Sequence, residues 1–350
     1  MVKEQHPTLP VPTSEEEVTA DWLRAALAES YPDLRIRSVE SKRIGEGFGL
    51  SSRLFRFRWA ETETPSSVVV KLWDTEGPAG IREIHFFREF GGQTGTRIPG
   101  FYHGAFDLDS KRGVLVLEDL GEVIQGDCLE QLELGRSEML ARSLAGLHAA
   151  WWQREELESA KWLPLVTERV RGSDWFESRR TMFLGRFEER LDRFCLELLS
   201  QIERAEARAN ERLGGAAVTL LHADLHLDNV VFETEAGRPI LLDWARTAKG
   251  PAVLDLADLL YTIALPEDRE EVFSTYLSEL ASRGVAELDE QTVRHQLGGA
   301  LLRKFDTWTC GVGRWQPASE RESRMIDSMI KRALQAISDW RSHDPDLFRF

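Results

Sequence analysis

Cysteine is scarce in this sequence: Cys128, Cys195 and Cys310 are three in number and far apart. That excludes a small disulfide-stapled scaffold and fits a reducing compartment, so a cytoplasmic location is expected. Long apolar runs are missing too. No stretch approaches the roughly 20 residues that a membrane-spanning helix needs. The opening MVKEQHPTLPVPTSEEE lacks the apolar segment and cleavage pattern of a signal peptide. Positive charge is outweighed: 44 Lys and Arg against 59 Asp and Glu give a formal net charge of −15. General nucleic-acid binding needs a basic face to neutralise phosphates, so no nucleic-acid partner is expected, and no membrane partner either. Long-range attraction by such a chain favours cationic small molecules instead. Internal repeats and low-complexity tracts are not visible. What is present is ordinary for a globular chain: 350 residues, 42% hydrophobic and 29% charged, enough for two lobes and a sizeable core. No exposed heptad or interface patch is readable, so the sequence predicts no oligomeric state.

One stretch departs from this ordinary background. Residues 220–244 read LLHADLHLDNVVFETEAGRPILLDW, with His222, Asp224, His226, Asp228 and Asn229 packed into eight positions. An apolar run (230–232), a polar turn with Gly237 and Pro239, and a second apolar run (240–242) follow, ending on Asp243. This predicts a loop and then a β-hairpin, with carboxylate and amide groups at its open end. Charges gathered at the tips of buried strands need a partner, because unpaired burial costs several kcal/mol (roughly). Asp224, Asn229 and Asp243 are hard oxygen donors, which suit Mg²⁺ better than Zn²⁺. In the kinase template an Asp accepts the substrate hydroxyl proton, an Asn five residues on holds metal, and a second Asp after a strand holds metal too. The alternation of His222, Asp224, His226 and Asp228 leaves a second possibility open, a His/Asp ligand set for zinc or a two-metal hydrolase. It gives Asn229 and Asp243 no role, and predicts tightly bound zinc.

His222-x-Asp224-x-x-x-x-Asn229 followed by LLDW resembles the aminoglycoside phosphotransferase and choline kinase-like small-molecule kinases. The resemblance implies a bilobal protein kinase-like fold of the α+β class, with ATP (GTP is possible) and Mg²⁺ as cofactors. It makes Asp224 the catalytic base, Asn229 and Asp243 the Mg²⁺ ligands, and His222 a residue that holds the loop. Asp255, in VLDLADLL, is implied to hydrogen-bond the backbone of that loop.

The other parts of such a site are expected upstream. IGEGFGLSS, at 44–52, sits between two β-like runs, where Gly45, Gly47 and Gly49 would let backbone N–H groups approach phosphates and the Ser51 and Ser52 hydroxyls would help. Taken alone it is also an ordinary hairpin turn, and it is not a Walker loop. Ser67-Val-Val-Val-Lys71-Leu-Trp predicts a buried strand carrying one lysine, which needs a counter-ion unless it snorkels from an edge. The template pairs that lysine with the α/β-phosphates and a Glu on the next helix. Residues 79–90 supply that helix, with Glu83 the expected partner and Glu89 the second choice. LEDLG at 117–121 resembles an inter-lobe hinge, where backbone groups of Glu118 and Leu120 would meet the purine. This string, the glycine loop and the helix at 23–27 look most like the ecdysteroid kinase-like branch.

The remaining segments predict helices. Ser14 and Glu17 read as a capping box for a first helix that buries Val18, Trp22, Leu23, Ala26 and Leu27. The acidic segment 122–134 (Glu122, Asp127, Glu130, Glu133) reads as a solvated loop or an entrance for a cationic acceptor. Residues 137–152 place Leu140, Leu144, Leu147, His148 and Trp151 on one stripe, with His148 read as a packed core residue. Residues 174–212 read as long helices, which the resemblance implies shape the acceptor site, and 307–315 as a break whose Trp308 and Trp315 either pack or form a stacking wall. The expected organisation is a nucleotide-binding lobe at 1–117, a hinge at 118–121, and a catalytic and acceptor-binding lobe at 122–350. The expected activity is transfer of a γ-phosphoryl group to a hydroxyl of a small molecule, aminoglycoside-like or another alcohol. A kinase-like module that binds nucleotide without turnover is the alternative.

Overall fold

The computed structural model describes residues 9–45, 52–60, 65–74, 79–168, 173–285, 288–312 and 315–349. Its contacts divide the chain into two compact units: 1–93, 97–124 and 240–246 form the first, and 94–96, 125–239 and 247–350 the second. The expected hinge at 118–121 lies inside the first.

In the first unit, helix α1 (Ala20–Leu27) is followed by strands β1 (Glu40–Ile44), β2 (Ser52–Arg58) and β3 (Ser67–Asp74), helix α2 (Ala79–Glu89), and strands β4 (Phe101–Asp107) and β5 (Arg112–Glu118). The strands make one antiparallel sheet in the order β1-β2-β3-β5-β4. Three valines in a row suit β3 to the centre, where branched side chains pack against neighbours on both sides. Alternation along β3 then sorts its residues by face. Val68, Val70 and Leu72 join Phe55, Phe57, Val114 and Val116 in a core with Trp22, Leu23 and Leu27 of α1. Lys71, between Val70 and Leu72, falls on the opposite face.

Helix α1 starts later than the Ser14–Glu17 pattern predicts. The Thr19 hydroxyl accepts the Trp22 N–H at 3.2 Å and caps α1, whereas Ser14 makes no side-chain cap. Glu17 instead takes the Thr13 N–H and hydroxyl at 2.7 and 2.8 Å, closing a short 3₁₀ turn at Glu15–Glu17. The acid chosen as the far end of a helix cap therefore serves a turn of its own. The five apolar positions expected on this helix face are buried all the same.

Strand β6 (Val123–Gln125) leads into the second unit, which is largely helical: α3 (Leu134–Ala150), α4 (Glu155–Ser159), α5 (Ser173–Phe187), α6 (Arg193–Ser200) and α7 (Ile202–Leu213). Strand β7 (Val218–Leu221) follows, then a loop, β8 (Val230–Glu233), β9 (Pro239–Leu241), of which Ile240 and Leu241 belong to the first unit, and β10 (Ala248–Pro251). The chain ends in α8 (Val253–Asp258), α9 (Arg269–Ser282), α10 (Glu290–Asp306) and α11 (Glu320–His343). Strands β7 and β10 pair antiparallel, Leu221 opposite Ala248 and Val218 opposite Pro251. The Thr219 hydroxyl donates to the His148 carbonyl at 2.7 Å, which ties β7 to α3. At 307–311 the expected break is instead a π turn that prolongs α10. Trp308 is buried there at 4% exposure, so it packs inside and is no stacking wall.

Candidate active site

In the first unit the expected residues gather around Lys71. Its ammonium lies 2.8 Å from Glu83 Oε2 on α2 and 3.2 Å from Asp243 Oδ1, and both Lys71 and Glu83 are buried. Burial opposes a charge on Lys71, but the Glu83 and Asp243 carboxylates outweigh it and hold the ammonium above its usual range. Glu89, the second choice for this pairing, meets His85 at 2.9 Å instead. The other Glu83 oxygen accepts the Trp244 N–H at 3.2 Å. Trp244 is fully buried and stacks on Phe86 of α2, with centroids 3.9 Å apart and planes 6° from parallel. Sequence reasoning gave Trp244 no role, although it stood beside Asp243 in LLDW. Asp243 itself has φ 56°, a left-handed conformation that Asp tolerates better than most residues, and its Oδ1 also accepts the Ala245 N–H at 3.3 Å.

The loop between β7 and β8, in the second unit, carries the other expected residues. Asp255, in the first turn of α8 and fully buried, accepts the His222 N–H at 2.7 Å on Oδ2 and the Ala223 N–H at 3.0 Å on Oδ1. Ala223 sits at φ 62°, so the two N–H groups converge on one carboxylate only through a strained backbone. Behind Asp255, His148 Nε2 lies 3.5 Å from Oδ2, and His148 Nδ1 lies 2.7 Å from the Tyr276 hydroxyl. A carboxylate on the Nε2 side makes that nitrogen the donor and leaves Nδ1 to accept from Tyr276. Burial works against charge on Asp255, but His148, with Lys304 and His222 behind it, holds its pKa below the usual carboxylate range. His148 is therefore a buried support under the loop. Tyr276 is part of that support, and no motif in α9 marks it.

Farther along the loop, His222 Nδ1 accepts the Asp224 N–H at 3.3 Å. The Asn229 side-chain Nδ2 donates to the Asp224 carbonyl at 3.0 Å and lies 3.0 Å from His226 Nε2. Because Nδ2 is fixed by a carbonyl, the orientation of the amide is fixed as well, and Oδ1 is the atom left for an electrophile. The alternating His/Asp set is not gathered into one ligand cluster. Among the described residues, the group of His, Cys, Asp or Glu atoms close enough to share an ion is Asp127, Cys128 and Asp228, within 4.8 Å of one another. That group contains neither histidine, which removes the zinc-hydrolase arrangement.

The remaining expected residues are less informative. Gly45 closes β1 at φ 69°, while Gly47, Gly49 and Ser51 lie outside the described residues. Glu118 ends β5: its N–H donates to the Gly100 carbonyl, and its carboxylate takes the Gly100 N–H at 2.8 Å and Arg97 at 2.6 Å. Leu120 lies in the turn that follows, where Asp119 accepts the Gly121 N–H at 3.1 Å.

A sequence model of the phosphotransferase enzyme family matches residues 47–290, more than half of the chain and all of the stretch from β3 to Asp255. The chain belongs to this phosphotransferase enzyme family. Solved structures agree on the fold. A choline kinase from Cryptosporidium parvum Iowa II is 12% identical with a TM-score of 0.59, covering 95% of this chain and 98% of its own. An ADP-bound aminoglycoside phosphotransferase, APH(2'')-Ib, is 16% identical with a TM-score of 0.52, covering 88% and 96%. An ethanolamine kinase from Plasmodium vivax is 12% identical with a TM-score of 0.51, covering 86% and 84%. No curated protein matches by sequence. The phosphotransferase is thus an enzyme of the kinase-like α+β class, with an antiparallel-sheet unit carrying Lys71 and a helical unit carrying the 222–229 loop. In the described residues, no helix is long and apolar enough to cross a membrane.

Proposed function

We propose that this phosphotransferase moves the γ-phosphoryl group of ATP, with GTP as a possible donor, to a hydroxyl of a small molecule. The observation that carries this reading is the cluster in which buried Lys71 meets buried Glu83 and the partly exposed Asp243. A lysine held charged on a rigid strand beside a carboxylate suits the α/β-phosphates of a nucleotide, and positioning with charge neutralisation supplies most of the acceleration in phosphoryl transfer. Asp224 takes the proton of the acceptor hydroxyl as its oxygen bonds to the γ-phosphorus, and the bond from phosphorus to the β,γ-bridging oxygen breaks to release the nucleoside diphosphate. The loop geometry supports that assignment: Asp255 holds both N–H groups just before Asp224, so the base sits on a backbone with little freedom.

The donor chemistry fits Mg²⁺. Asn229 offers Oδ1 and Asp243 a carboxylate, both hard oxygens, and these are the residues that would hold the ion. Bound there, Mg²⁺ would neutralise the phosphate oxygens. Gly45, Gly47, Gly49 and Ser51 remain our assignment for the phosphate loop, and the backbone of Glu118 and Leu120 for the purine. Residues 1–117, 118–121 and 122–350 remain the proposed functional lobes and hinge, and the cytoplasm the proposed location. Among acceptors, the net charge of −15 favours a cationic alcohol. Aminoglycosides, choline and ethanolamine therefore come first in a screen for an ATP- and Mg²⁺-dependent mass gain of one phosphate. Mass gain in any hydroxylated compound, lost in Asp224→Ala, supports the reading. Tight nucleotide binding with no mass gain across a broad panel of alcohols would instead make the protein a nucleotide-binding module.

A further inference from the structure

Asp228 sits between the loop carrying Asp224 and Asn229 and the segment 125–130, and its carboxylate is nearly buried, with 6% of the side chain exposed. Four donors converge on it. Cys128 gives its N–H to Oδ1 at 2.8 Å and its Sγ–H to Oδ2 at 3.3 Å. Burial, then the Asp228 charge, pushes the Cys128 thiol up to about 12, so it stays protonated as a donor. The other two donors come from α11: Arg321 Nη1 meets Oδ2 at 3.1 Å and Nη2 meets Oδ1 at 3.0 Å, a two-pronged grip. The same Nη2 lies 2.8 Å from Asp127 Oδ1 and 4.0 Å from Cys128 Sγ. The guanidinium thus stands where the Asp127–Cys128–Asp228 group would otherwise attract an ion.

A second arginine repeats the arrangement. Arg332 is three helical turns farther along α11 and so on the same face. Its guanidinium donates to the carbonyls of Cys128, Leu129, Glu130 and Thr262 at 2.9 to 3.0 Å. Segment 125–130 is in turn laid directly on the loop. Gln125 Nε2 donates to the Asp228 carbonyl at 3.0 Å and the Gly126 N–H to the Val230 carbonyl at 2.9 Å. A Cβ on Gly126 would come within 2.3 Å of the Leu227 carbonyl, so the two backbones touch. Helix α11 lies beyond residues 47–290 matched by the family.

We propose that Arg321 is a positioning residue of the phosphotransfer site: through Asp228 it braces the loop that carries Asp224 and Asn229, from the C-terminal helix. The role assigned to the loop rests on the function proposed above, but the brace is tested separately. Hydrogen exchange of the full-length protein reads the brace without any substrate. In Arg321→Ala, exchange of residues 222–230 and 125–130 should rise on the order of 10-fold or more, with α3 unchanged. Asp327→Ala, on the same helix as Arg321, removes an exposed ion pair with Arg190 and should leave those segments as in wild type. Turnover reads the consequence. Arg321→Ala should lose kcat by about 10-fold or more and need more Mg²⁺ for half-maximal rate, and added methylguanidinium should restore part of kcat. Should Arg321→Ala fail to fold, Arg321→Lys keeps the charge without the fork and should show the same changes in smaller degree. Wild-type exchange at 222–230 in both variants overturns the proposal. So does a fall in kcat that tracks lost stability and ignores methylguanidinium. If Asp224→Ala turns over normally, the phosphotransfer assignment fails and the exchange result alone decides the brace.

Discussion

Lys71 and Asp243 stand 172 positions apart in sequence and 3.2 Å apart in the structure. Their chemistry makes the residue-scale predictions separable. Asp224→Ala removes the proposed proton acceptor alone, so kcat should fall by at least ~100-fold, with nucleotide affinity by titration changed only a few-fold. Unchanged turnover removes the base assignment. Asp243 calls for a different substitution, because its left-handed backbone would strain an alanine. Asparagine accepts that conformation and keeps an oxygen while losing the charge. Asp243→Asn should therefore raise the Mg²⁺ concentration for half-maximal rate by roughly 10- to 100-fold. A metal titration matching wild type contradicts the ligand role. Asp224, Asn229 and Asp243 could be proposed from the sequence because the kinase template fixes residue types at short spacing within one stretch. Arg321 was not: it reaches Asp228 across 93 positions, and one arginine among many exposed ion pairs carries no spacing signal.

Single elements show why boundaries were harder to read than sides. The helix face of α1 was legible because five apolar positions recur at helical spacing, but its start was not, since Thr13, Ser14 and Thr19 are all acceptable caps. The structure gives that work to Thr19, so Thr19→Ala should cost about 1 kcal/mol in a denaturant titration and Ser14→Ala close to none. Equal losses would put the start back at Ser14. Helix α8 carries a pH response. Burial raises Asp258 from 3.8 to about 6, against the pull of the Lys304 ammonium and with Asp255 and Asp224 adding to the rise. Its folded-state pKa lies above the unfolded one, so the folded protein holds the extra proton between those values. The group thus contributes a loss of stability that grows as pH rises from about 4 to about 6 and is complete above it. Relative to Asp258→Asn, wild type should lose stability across that window by up to about 1.4 kcal/mol per pH unit, measured as denaturation midpoints. A pH-independent difference would show that Lys304 and not burial governs Asp258.

At the scale of the whole molecule, the charge balance and the fold were readable for different reasons. The class came from the family resemblance carried by His222-x-Asp224-x-x-x-x-Asn229 and LLDW, with a glycine loop, a lysine strand and a helix in the expected order upstream. The packing of the C-terminal helices was not, because α10 and α11 match no motif and their role emerges only from the side chains they send to α8 and to segment 125–130. The excess of acid, −15 overall, acts over distance and is screened by salt. For a cationic acceptor, kcat/KM should fall as ionic strength rises from 0.01 to 0.15 M (about 30 to 8 Å of Debye length), while a neutral alcohol should respond little. Equal responses would mean that acidity serves solubility alone.

Ala223 points to how narrow the allowed changes in the loop are. Its left-handed backbone aims two amides at Asp255, a shape open to glycine at little strain and closed to any side chain branched at Cβ. Valine or threonine at this position would swing the amides apart and take two donors from a sealed anion. Residues branched at Cβ are therefore shut out of position 223 by conformation, with no help from catalysis, while glycine and the residues that tolerate a left-handed backbone stay open.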